Sequence, residues 1–112
     1  MQKTFYMYKI SNLLNISEIV TIHYQKLSKT YSYPSESHGF WEIIYCDKNE
    51  MFVIADGVTH TLKKGEIIFI APNKEHAVRS NGLSDPNIFI VSFVCRSKPM
   101  SYFRDKIFTV PE

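Results

Sequence analysis

The chain has 112 residues, 45% hydrophobic and 14% aromatic, which suits one domain with a real core and excludes a disordered segment. Thirteen basic residues against eleven acidic ones leave a net charge of +2, scattered along the chain, which excludes a basic nucleic-acid footprint. Cys46 and Cys95 form no CxxC pair, so a cysteine zinc site has no support. They read as reduced, buried thiols of a cytoplasmic protein, with a disulfide between them the open alternative.

The N-terminus has no apolar core followed by a small-residue cleavage site, so it is not a secretory signal. No apolar stretch approaches the ~18 residues of a membrane span. Lys3–Ile10 is aromatic-rich and is expected as a first strand, and Ser11–Glu18 as irregular. Ile19–Leu27 alternates, with Val20, Ile22 and Tyr24 on one face and Thr21, His23 and Gln25 on the other. Ser28–Ser37 is rich in Ser, Tyr and Pro and reads as a loop. His38–Cys46 is a strand of large apolar residues, and Asp47–Glu50 a turn.

Met51–Ala55 and Val58–Leu62 flank Asp56-Gly57, a two-residue hairpin signal for a type I′ turn. After a turn at Lys63-Lys64-Gly65, Glu66–Ala71 is nearly all apolar and is expected to be buried on both faces. Pro72-Asn73-Lys74 turns the chain into a short strand, Glu75–Ser80. Asn81–Pro86 reads as a loop and Asn87–Cys95 as the last long strand. Met100, Phe103 and Ile107 form a helical stripe, either one side of a dimer contact or a helix docked on the sheet. This helical pattern has barely begun at Val110-Pro111-Glu112, so a longer native chain is expected. Seven or eight short, evenly spaced strands followed by one short helix predict a closed β-barrel or jelly roll.

Glu36, His38 and Glu42 share one strand parity and so one face, and Phe40 shares it with them. His76 follows the turn at Pro72-Asn73-Lys74. Trp41 has the opposite parity and belongs to the core or an interface. His23 and His60 stand alone in alternating strands, where a core or solvent-facing histidine is the default. Tyr31 and Tyr33 could cover a barrel mouth, although tyrosines are ordinary in ordered loops. No Gly-x-Ser-x-Gly elbow occurs, and neither cysteine has a histidine near it in sequence, so nucleophilic catalysis has no support.

Two segments, Glu36-x-His38-x3-Glu42-x6-Asn49 and Gly65-x5-Ala71-x-Asn73-x2-His76-x3-Ser80, have the spacing of the two cupin motifs and resemble them. Several identities differ. Glu36 replaces the first motif histidine, Asn49 and Asn73 replace glycines, Ala71 stands at the proline position with Pro72 next to it, and Ser80 replaces an asparagine. The two asparagines are mild changes, because Asn tolerates positive φ. Within the cupins the chain resembles the N-terminal sensing domain of AraC-type transcription regulators. The carrying residues are His38-Gly39-Phe40-Trp41-Glu42-Ile43-Ile44-Tyr45, the run from Gly65 to Pro72 with His76, Asn87–Phe93, and Tyr102-Phe103-Arg104. The resemblance covers residues 18–110 and implies an all-β, cupin-type double-stranded β-helix (jelly-roll barrel) with a short C-terminal helix. It divides the single domain, residues 1–112, into an N-terminal arm or strand at 1–18, the barrel at 19–97 and the start of a helical linker at 98–112.

What the resemblance implies is a small-molecule effector-binding and dimerisation domain, not an enzyme. Its helix-turn-helix DNA-binding domain is missing from this chain, so this piece is expected not to bind DNA by itself. A homodimer follows from the family, and so does carbohydrate as one class of effector, which no residue here specifies. The expected ligand-binding residues are His38, Phe40, Glu42, His76 and Glu36, with no cofactor. Two other readings of the polar set stay open. Glu36, His38, Glu42 and His76 could hold iron, manganese or zinc in a small cupin enzyme, such as a dioxygenase or sugar isomerase. His38 and Glu42 could instead form a pair that satisfies itself in the barrel mouth.

Overall fold

A computed structural model describes residues 15–111, and the strand expected over Lys3–Ile10 lies outside them. The elements are β1 (Ile16–Lys26), β2 (Trp41–Lys48), β3 (Glu50–Ala55), β4 (Val58–Lys63), β5 (Glu66–Ile70), β6 (His76–Ser80), β7 (Asn87–Cys95), a 3-10 helix (Lys98–Phe103) and β8 (Ile107–Thr109). They form a five-stranded sheet in the order β1-β7-β2-β5-β8 and a three-stranded sheet in the order β4-β3-β6. All paired strands are antiparallel. Among the described residues no helix is long and apolar enough to cross a membrane.

The turns follow from local chemistry. Asp56 and Gly57 both have positive φ, 50° and 79°, as a two-residue hairpin requires between β3 and β4. Asn49 and Asn73 hold φ of 62° and 64°, so each takes the left-handed conformation that glycine would supply. The two-residue period then sorts the side chains. Ile44, Cys46, Ile68 and Ile88 from the large sheet meet Met51, Val53, Leu62 and Val78 from the small one in a core sealed from water.

The outer face of the large sheet carries a second cluster. Trp41, Phe93, Ala71 and Cys95 pack there with Met100 of the 3-10 helix, and Phe103 stacks on Phe69 with ring centroids 5.0 Å apart. Trp41 is therefore core, on the face opposite Glu42. Both cysteines are free and buried, in different clusters.

The structure corrects the sequence reading at four places. β1 begins at Ile16, so residues 16–18 are strand where an irregular segment was expected. β2 begins only at Trp41, and His38–Phe40 precede it. β5 is not buried on both faces: Ile68 and Ile70 are sealed inside, while Ile67 and Phe69 are half-buried on the outer face. The helical stripe also dissolves. Met100 and Phe103 belong to a 3-10 helix that Pro99 opens, and Ile107 starts β8, which pairs with β5. A 3-10 helix is short because its hydrogen bonds are poorly aligned, so an i, i+7 pattern cannot continue on it. Met100 is buried against the large sheet, among Trp41, Phe93 and Cys95.

Candidate ligand-binding site

Strand register places the site at one end of the barrel. Across the large sheet, Thr21 of β1 lies beside Ser92 of β7, Ser92 beside Glu42 of β2, and Glu42 beside Ile70 of β5. The next inward row is His23, Ile90, Ile44 and Ile68. The inner face thus changes from aliphatic to polar within two residues of strand. In the small sheet Ala55 pairs with His76, which brings His76 to the same end.

Three backbone hydrogen bonds fasten the loop before β2 to the turn before β6. Asn73 N–H donates to the His38 carbonyl at 2.6 Å, and Glu36 and His76 exchange both of their backbone bonds at 2.8 Å. Glu36 thereby adds a single-residue bridge to the edge of β6. His38 and Phe40 come from the bend that follows, and their rings stack at 4.8 Å and 6°. All five predicted site residues converge, although strand parity is not what aligns Glu36, His38 and Phe40.

The polar floor is tightly packed. His76 Nε2 lies 2.6 Å from Glu42 Oε2 and 3.8 Å from Glu36 Oε1, and His38 Nε2 lies 3.0 Å from Glu36 Oε1. Glu42 is 8% exposed and His76 4%, whereas the Glu36 side chain is 36% exposed. The Lys74 carbonyl lies 3.0 Å from His76 Nδ1, and the Ser92 hydroxyl donates to Glu42 Oε1 at a long 3.5 Å. Burial pushes the His76 pKa down, but the Glu42 carboxylate, the Lys74 carbonyl and Glu36 outweigh it, and the net shift is upward. His76 Nε2 is buried and, despite its short approach to Glu42, makes no aligned hydrogen bond.

Above this floor opens a cavity of about 280 Å³. Tyr31, Tyr33 and Phe40 supply aromatic wall, Val78 and Ile90 aliphatic wall, and Glu36, His38, Glu42 and Ser92 the polar base. Tyr31 and Tyr33 stack at 6.5 Å and 16°. Thr21, His23 and Gln25 of β1 complete the rim. These three and Ser92 are residues that sequence reasoning did not assign to a site. The alternation in β1 already put the three on one face, but nothing in sequence says that this face meets a cavity. His60 pairs with Val53 and does not line the cavity.

The donor set also bears on a metal. Two imidazoles and two carboxylates each offer one ligand atom, and these atoms all lie within 4.8 Å of one another. By donor chemistry this set fits a divalent transition ion.

Solved structures share the architecture. A predicted oxalate decarboxylase from Thermotoga maritima superposes with a TM-score of 0.63 at 21% identity, over 76% of this chain and 70% of the other. A cupin protein from Bacteroides fragilis gives a TM-score of 0.63 at 17% identity, over 86% of each chain. This chain has a cupin fold. A further neighbour of the cupin domain is unsaturated fatty acid bound ToxT from Vibrio cholerae, with a TM-score of 0.53 at 11% identity over 70% of this chain and 30% of that one. No protein-family model and no curated protein sequence matches the cupin chain.

Proposed function

We propose that this cupin is the effector-binding and dimerisation domain of an AraC-type transcription regulator and catalyses no reaction itself. The cavity carries the reading. It has apolar and aromatic walls, a few convergent polar groups and an open mouth, the composition of a small-molecule recognition site. The resemblance of His38–Tyr45, Gly65–Pro72 and Asn87–Phe93 to the sensing domains of such regulators supports it. The fatty-acid-bound ToxT structure supports it at the level of fold.

In this reading a small molecule enters between the Tyr31–Tyr33 loop and the rim of β1, and contacts His38, Glu42 and Glu36. The loop over residues 28–37 is tied to β6 at Ser32 and Glu36, so ordering it stiffens the small sheet. The change reaches a DNA-binding domain only if the ligand binds two arrangements unequally. The gene beyond the Glu112 codon tests this directly. A helix-turn-helix domain in frame is expected, and a stop codon at that point would remove the regulator reading.

One observation favours a second reading, a metal-dependent cupin enzyme such as a dioxygenase or sugar isomerase: four close donor atoms on two imidazoles and two carboxylates. Glu36, His38, Glu42 and His76 would hold a divalent ion, which would supply Lewis acidity at the cavity floor. Metal analysis of protein purified without a histidine tag separates the two readings. A near-stoichiometric transition metal that disappears in His38→Ala would favour the enzyme.

A further inference from the structure

The cavity has a one-sided charge. Its lining contains two carboxylates, Glu36 and Glu42, and among the described lining residues no lysine or arginine. The nearby cations are held elsewhere: Lys74 Nζ pairs with Asp56 at 2.6 Å, and the Arg79 guanidinium lies over the Phe52 ring, 5.3 Å from its centroid. Among the described lining residues an entering carboxylate or phosphate would meet no lysine or arginine, and Glu36 would repel it. Glu42 is closed off by His76, whereas Glu36, 3.0 Å from His38 Nε2, keeps about a third of its side chain exposed.

Two aromatic pairs line the same cavity. One is the Tyr31–Tyr33 stack and the other the His38–Phe40 stack. The field of Glu36 reaches the first pair: the Tyr31 phenol is pushed up by burial, then by Tyr33, then by Glu36. Aromatic faces beside a carboxylate attract a cation through both the ring quadrupole and the charge. At about 280 Å³ the space suits a compact molecule. The rim of Thr21, His23 and Gln25 offers hydrogen bonds to a polar frame.

We propose that the cavity selects a compact ligand bearing a protonated amine, with the ammonium set against Glu36 between the two aromatic pairs. This rests on the reading of the cavity as an effector site, and adds the ligand's charge class to it. The Glu42–His76 pair beneath serves as a neutralised floor, while Glu36 is the residue that reads charge.

Calorimetric titration of the chain near neutral pH with D-glucosamine, D-glucose and D-glucuronate tests it on one pyranose frame with three charges. The amine is expected to bind up to about fivefold tighter than glucose, the order of one partly exposed charge contact. Glucuronate is expected to bind more weakly than either. Glu36→Gln should erase the amine's lead over glucose, with an unaltered far-ultraviolet spectrum. Equal or tighter binding of glucuronate overturns the assignment, and a glucuronate preference that is lost on chelation points to a bound cation instead. No binding by any of the three, or a lead that survives Glu36→Gln, also overturns it. A preference for glucose or glucuronate leaves the effector-site reading standing, whereas a stop codon after Glu112 removes the regulator reading whatever the sugars do.

Discussion

Glu36 and His76 exchange both backbone hydrogen bonds, each 2.8 Å long, so a residue forty positions upstream becomes the outer neighbour of β6. That bridge brings the Glu36 carboxylate to 3.8 Å from His76 Nε2. It explains how a loop residue joins a site otherwise built on strands. The glutamate at the first motif position thereby reaches both histidines without a strand beneath it.

The Glu42–His76 pair sets two ionisable groups 2.6 Å apart away from water. Removing one partner of such a pair leaves the other uncompensated, which typically costs about 3–5 kcal/mol. Glu42→Ala is therefore expected to lower the denaturant midpoint by that equivalent. A loss under about 1 kcal/mol would mean that the two groups are solvated separately.

Stability should also depend on pH through His76. Its folded pKa lies above the ordinary 6.5, so its charged contacts contribute fully below that value. The contribution fades as pH rises through the raised value. Unfolding midpoints of the parent chain should fall across that interval relative to His76→Gln, whose profile should be flatter. Parallel profiles would show that His76 does not gain a proton on folding.

Asn73 holds φ at 64° while its N–H is bonded to His38. Asn73→Gly keeps both features and should leave stability near that of the parent. Asn73→Val places a β-branched residue in a left-handed conformation and is expected to cost about 2 kcal/mol or more. It should also weaken ligand binding, because the turn positions His76. Equal melting temperatures for the two variants would refute the strain.

Met100 is 3% exposed and packs among Trp41, Phe93 and Cys95. Met100→Ala should cost about 2–4 kcal/mol by leaving a cavity. Sedimentation should show the same oligomeric state for variant and parent. A variant that dissociates while keeping its monomer stability would instead place Met100 in a subunit contact.

The strands β2 to β7 were legible because each advertises itself locally. Asp56-Gly57 demands a hairpin, Asn49 and Asn73 tolerate the turns they occupy, and Asn87–Cys95 is a long apolar run bounded by proline and loop. The spacing around His38, Glu42 and His76 was legible too, since the cupin motifs are contiguous in sequence. The C-terminal segment was misread because Met100, Phe103 and Ile107 fit a helical period by chance, while the real constraints are Pro99 and the open edge of β5. An edge that accepts a strand exists only after the sheet has formed.

The sequence by itself determined which side chains are polar among apolar neighbours, and the local turns that separate them. Only the tertiary structure decided that Thr21, His23 and Gln25 share a cavity with Tyr31, Phe40 and Ser92. It also decided that Glu36 meets His76 through a backbone bridge. Period-two alternation assigns a residue to a face, but antiparallel register decides which faces meet. Register depends on pairings between residues far apart in sequence, such as Ile16 with Cys95 and Thr21 with Ser92.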